Sequence, residues 1–128
     1  MEGERQVNVM ILGDRQTVRR LSFFAETNTV ELMTLAHIPE ALGALRCRNY
    51  DVVILSNLGE ATQTICRQIR ETSQSSIVMI VDPTRADWQY LDSLTIDGFI
   101  LQHTGRNELS ARLMAIHRRT RSIAANNC

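Results

Sequence analysis

The chain contains no lysine. All fourteen of its cations are arginines, set against fourteen acidic residues, for a formal net charge of zero. The absence removes every mechanism that needs a lysine amine: Schiff-base chemistry, a Walker-type phosphate lysine and a lysine general base. Cysteine is sparse. Cys47, Cys66 and Cys128 are scattered, odd in number and form no CxxC pair, which fits free thiols in a reducing compartment and argues against a disulfide frame or a zinc site. His37, His103 and His117 fall in different segments without ligand spacing. No apolar run approaches membrane-spanning length and the first residues carry no signal-peptide core, so a soluble, cytoplasmic protein is expected. Balanced charge supplies no global field, and neither nucleic acid nor membrane is expected as a partner of this domain alone. Glycine-rich phosphate loops are missing too. GDRQT offers one glycine where GxGxxG or GxxxxGK[ST] needs more. No Ser-His-Asp or Cys-His series stands at strand ends, so independent catalysis is not expected. Internal repeats and low-complexity segments are absent.

What is present is a regular alternation of short apolar runs and helical periods. At 128 residues the chain is one domain with room for a full core. Tyr50 to Asn57 (YDVVILSN) is its organising stretch: four consecutive apolar residues read as a strand buried on both faces, ending at Ser56. Before it, Val7 to Leu12 reads as a first strand and Gln16 to Asn28 as a helix with Val18, Leu21 and Phe24 inward. Val30 to Ala36 then reads as a second strand, and Pro39 opens a helix that buries Ala41, Leu42 and Leu45. After it come a helix over Ala61 to Thr72, a buried strand over Ile77 to Val81, and a short helix over Ala86 to Leu94 with Trp88. Gly98 to Leu101 is the fifth strand. A last helix from Asn107 to about Ile123 turns Leu109, Leu113 and Ile116 inward.

Strands and helices in strict alternation imply right-handed crossovers and a parallel sheet covered on both faces. The first strand, apolar on both faces, belongs in the middle. That gives a flavodoxin-like three-layer αβα sandwich with strand order 2-1-3-4-5, whose site lies at the C-terminal ends of the strands. Residues 1–121 form the domain, and 122–128 a tail or the start of a linker to an output domain.

The series VMILGDRQTVRRL, YDVVILSNLGEA, CRQIRE, SIVMIVD and DGFILQHTGRNELSARLMAI resembles the receiver domain of bacterial two-component response regulators over residues 7–121. A receiver takes a phosphoryl group onto an aspartate at the end of strand three. Two acids after strand one help to hold Mg²⁺, and a Ser or Thr after strand four and a lysine after strand five contact the phosphoryl oxygens. The resemblance aligns those positions with Gly13 and Asp14, Ser56, Val81 and Gln102, with Asp82 and His103 directly behind the last two. Of the five, only Asp14 keeps its type. A divalent ion loses about 8 kcal/mol of gross attraction per missing carboxylate at about 4 Å and an effective dielectric near 20. Ser56, without an activating base, is a poor nucleophile. The resemblance therefore implies a degenerate receiver, a pseudo-receiver that works independently of phosphorylation and without a cofactor.

Each candidate also has a plainer role. Ser56 suits a cap of the following turn or helix, Asp14 a cap for the helix after strand one, and Asp82 a turn before Pro83. Asp14 with Asp82 is the weak candidate pair for a cation. Arg15 reads as a solvated helix-start residue, Cys66 as a packing or surface thiol, and HRRTR (117–121) as a basic helix end complementing the helix dipole, with nucleic-acid contact as its alternative. The resemblance places partner docking or homodimerisation on the face formed by the fourth helix, fifth strand and last helix, with Trp88, Tyr90, Phe99, Arg112 and Arg119 as contacts. Two alternatives stay open: a receiver that still responds to phosphorylation or Mg²⁺ in a phosphorelay, and a small-ligand or nucleotide-binding α/β domain.

Overall fold

Computed as a structural model, the protein is described over residues 7–21, 29–33, 38–56, 61–82, 84 and 96–126. Its elements are β1 (Asn8–Leu12), α1 (Arg15–Arg20), β2 (Thr29–Met33), α2 (Ile38–Cys47), β3 (Val52–Ser56), α3 (Thr62–Thr72), β4 (Ser76–Val81), β5 (Gly98–Leu101) and α4 (Arg106–Asn126). The expected helix over 86–94, carrying Trp88 and Tyr90, lies outside the described residues, as do Phe24, His37 and Pro83.

The five strands form one parallel sheet in the order β2-β1-β3-β4-β5, as the sequence predicts. Period-two alternation divides its apolar residues between two layers. Val9, Ile11, Val52, Ile54, Val78, Ile80 and Ile100 pack with Leu21, just past α1, and with Leu109, Leu113 and Ile116 of α4. On the opposite face Met10, Leu12, Val53, Leu55 and Ile77 pack with Ala41 and Leu45 of α2 and Ile65, Cys66 and Ile69 of α3. All five residues of β3 are buried, because β3 has a neighbour on each side and helices above and below. Strand β5 closes one edge. Its Ile100 is buried, while Phe99 and Leu101, on the other face, are 49% and 46% exposed.

Several element ends differ from the sequence expectation. Strand β2 starts at Thr29, α3 starts at Thr62, and α4 runs beyond Ile123 to Asn126. Ends are fixed by where the last backbone bond can form, which side-chain periodicity does not encode.

The N-terminal edge of the sheet is tied by polar bonds. The Asp51 carboxylate accepts from the Asn8 amide at 2.8 Å, and the Ser75 hydroxyl donates to the Tyr50 carbonyl at 2.6 Å. Oδ2 of Asp97 accepts from the Ile77 amide at 2.7 Å and from Arg70 Nη2 at 2.9 Å. Arg119 Nη2, on α4, donates to the Asp97 carbonyl at 3.0 Å. A single residue thus joins α3, β4, β5 and α4, and the C-terminal edge is left as the side where loops can build a site.

Candidate functional site

Four adjacent strands bring the sequence-predicted positions to that C-terminal edge. Gly13 and Asp14 follow β1, Ser56 ends β3, Val81 ends β4, and Gln102 follows β5. The β1–β3 register, which pairs Leu12 with Leu55, sets Gly13 beside Ser56. The approach is close. A Cβ on Gly13 would lie 2.7 Å from the Ser56 carbonyl oxygen and 3.3 Å from the Ser56 Cβ. Gly13 also donates its amide to the Met33 carbonyl at 3.2 Å, which extends the sheet past the end of β1. The β1 end is therefore held from the β2 side and pressed against β3 on the other.

Ser56 is only 6% exposed and pairs in register with Ile80. It does not cap α3, whose N-cap position is Ala61 with no side-chain cap bond. Asp14 is half-buried directly before α1, and Arg15 is the exposed first residue of that helix. Val81 is buried, and its carbonyl accepts from the Gln102 amide at 2.7 Å. The positions thus meet in two pairs, Gly13 with Ser56 and Val81 with Gln102. His103 is exposed in the turn after β5. Asp82 Oδ1 accepts from the Thr84 amide at 3.0 Å and its hydroxyl at 2.7 Å, the local turn its residue type predicts. Among the described residues, no three His, Cys, Asp or Glu side chains gather where a metal ion could be held.

No protein-family model matches the chain, and no curated protein matches it. Solved structures do. A two-component response regulator from Clostridium difficile superposes with a TM-score of 0.67 at 23% identity, covering 89% of this chain and 98% of the other. The receiver domain of the TMAO respiratory system regulator TorR gives 0.69 at 20% identity, covering 88% and 98%. The fold is a receiver fold. A third receiver domain, from the sensor histidine kinase PA1611 of Pseudomonas aeruginosa, matches with a TM-score of 0.67 at 14% identity over 88% and 98%. That structure holds a magnesium ion in its active-site cleft. At these identities the likeness establishes the fold, and the chemistry rests on the residues themselves.

Sequence reasoning placed the five positions at the right edge but missed why Gly13 is glycine. A glycine followed by a polar residue after a strand reads only as a strand stop; the carbonyl it faces belongs to another segment. It also missed the buried pair Ser76 Oγ and His117 Nδ1, 3.5 Å apart, and the fourfold linkage through Asp97. Cys66 is fully buried on the inner face of α3. Burial pushes its thiol from 9.0 up to about 11 despite the opposing pull of Arg70, so it is a packing residue and an inert one. Of the partner-contact candidates, Phe99 is exposed on the β5 edge. Arg112 bonds Glu108 on its own helix at 3.2 Å, and Arg119 reaches the Asp97 carbonyl.

Proposed function

We propose that this chain is a signalling domain of response-regulator type that works independently of aspartyl phosphorylation, by binding another protein or a second copy of itself. The observation that carries the reading is the Gly13–Ser56 contact. The position where a receiver needs its first metal-binding carboxylate faces the Ser56 carbonyl at a distance that leaves no space for even a Cβ. The acceptor position holds a buried hydroxyl, and the chain has no lysine to meet a transferred phosphoryl charge. A hard cation that gives up its water reluctantly has little to gain at one half-buried carboxylate, Asp14.

Binding in place of chemistry needs an apolar anchor near polar contacts. Phe99 and Leu101 supply that on the β5 edge, with Arg112 and Arg119 on the adjoining α4 and with Trp88 and Tyr90 in the segment between β4 and β5. An output domain in a longer protein is one such partner.

The test is an amide NMR titration of the full chain with Mg²⁺ and then beryllofluoride, a phosphoryl mimic. Amides of Asp14, Ser56 and Gln102 are expected to stay in place. Saturable shifts there that spread to Phe99 and α4 would show a working phosphoryl switch and overturn the proposal.

A further inference from the structure

The zero net charge of the chain conceals a segregation that becomes visible once the helices are placed. Helices α1 and α4 together carry eight of the fourteen cations and one of the fourteen acidic residues. The pair is therefore seven charges positive, and the rest of the chain seven negative. Both helices belong to the same face of the sheet, because Leu21 at the end of α1 and Leu109, Leu113 and Ile116 of α4 enter one core layer. Each helix follows a parallel strand, so the two run in the same direction across that face. The three arginines of α1 are exposed, as are Arg106, Arg112, Arg118 and Arg119 on α4. From Arg106 to Arg119 the helix advances roughly 20 Å, so the exposed cations of α4 are spread over several turns on the side of the sheet that α1 shares.

The rest of the exposed surface there decides which kind of anion fits. Besides the arginines, the exposed described residues of α1 and α4 are Gln16, Asn107, Glu108, Ala111 and Ala115. A stable protein interface is anchored by large apolar or aromatic side chains, and the two large exposed ones among the described residues, Phe99 and Leu101, stand on β5. A phosphate backbone needs no anchor of that kind. It needs closely set cations, and the planar guanidinium fork of arginine matches phosphate oxygens in pairs. From this charge segregation we infer that the α1–α4 face binds the phosphate backbone of duplex nucleic acid, without reading its sequence. The expectation against nucleic acid rested on net charge, which sums this face with the whole of the rest of the chain. Of the arginines of this face, the protein-docking proposal at the β5 edge uses only Arg112 and Arg119, and the variants below leave both in place.

The measurement is fluorescence anisotropy of a labelled DNA duplex titrated with the full chain between 50 and 200 mM salt. A dissociation constant of about 10 µM is expected at 50 mM salt, rising into the millimolar range at 200 mM. With about four to five phosphates neutralised, affinity falls roughly 250-fold over that fourfold rise in salt. The pair Arg20→Gln and Arg118→Gln, both exposed, lowers the log–log salt slope by about 1.8 and weakens binding at least tenfold at 50 mM salt. The pair Arg46→Gln and Arg67→Gln on α2 and α3 leaves both unchanged. Absence of binding at 50 mM salt and 100 µM protein overturns the inference. So does equal weakening by the two pairs, which would mean a diffuse charge effect. Sedimentation with phosphatidylserine vesicles but no duplex binding would assign the face to a membrane and also overturn it.

Discussion

Replacing Gly13 by alanine tests the contact on which the functional reading rests. The new Cβ would stand 2.7 Å from the Ser56 carbonyl oxygen, and ordinary contact begins at 3.4 Å, so one partner must move by about 0.7 Å. Neither can move alone. Ser56 ends a strand paired in register with β4, and the Gly13 amide is bonded to Met33. Overpacking of this kind costs about 1–3 kcal/mol, and the loss of unfolded-chain freedom on going from glycine to alanine returns about 0.4–1 kcal/mol. The net expectation is a loss of about 1–2 kcal/mol. Gly43 is the internal control: it lies within α2, and a Cβ there meets nothing within 4 Å. Gly43→Ala should therefore stabilise by about 0.5–1 kcal/mol through helix propensity alone. Urea unfolding followed by circular dichroism separates the two. With a slope near 1.5 kcal/mol per molar, Gly13→Ala lowers the midpoint by about 1 M and Gly43→Ala raises it by about half that. A Gly13→Ala midpoint at or above that of the wild type, with an unchanged slope, would refute the reasoning. The corner would then have room for the missing carboxylate. Gly13→Asp carries the same test into function: stabilisation of that variant by millimolar Mg²⁺ would show a metal corner still in reach.

Three other perturbations probe the rest of the fold. Asp97→Ala removes an acceptor shared by Arg70 and the Ile77 amide and should cost about 2–3 kcal/mol, whereas Asp97→Asn, which can keep one acceptor, should cost less; equal losses in urea unfolding would argue against the linkage. Gly98 faces Ile116, whose Cδ1 would lie 2.6 Å from an added Cβ. Gly98→Ala is expected to cost about 1 kcal/mol, and Ile116→Val, which deletes that methyl, should recover part of it in a double-mutant cycle; strict additivity would refute the contact. Cys66 gives the pH dependence. Unfolded, its thiol ionises near 9.0, and folded it keeps its proton until about 11. Unfolding in that window releases a proton, so the contribution is fully present below pH 9 and is lost as pH rises through 11. Relative to Cys66→Ala, the wild type should lose about 2 kcal/mol between pH 8 and 10.5. Parallel pH profiles of the two proteins would show that the thiol is not buried as described.

The sequence alone determined the architecture, because side-chain periodicity is a local property. Val52 to Leu55 could only be a strand covered on both faces, and Leu109, Leu113 and Ile116 could only face one way from a helix. Right-handed crossovers then left few ways to order the strands. The absence of lysine and the types at Gly13, Ser56, Val81 and Gln102 were equally plain on the page of residues. What the tertiary structure decided were the contacts between segments distant in the chain. Only the β1–β3 register sets Gly13 against the Ser56 carbonyl, and only the start of β4 lying beside Asp97 makes that carboxylate a junction of four elements. Only the placing of α1 and α4 on one face gathers seven exposed arginines of a neutral chain onto one side of the sheet. Composition adds charges without regard to position, whereas the field a partner meets depends on where the fold puts them.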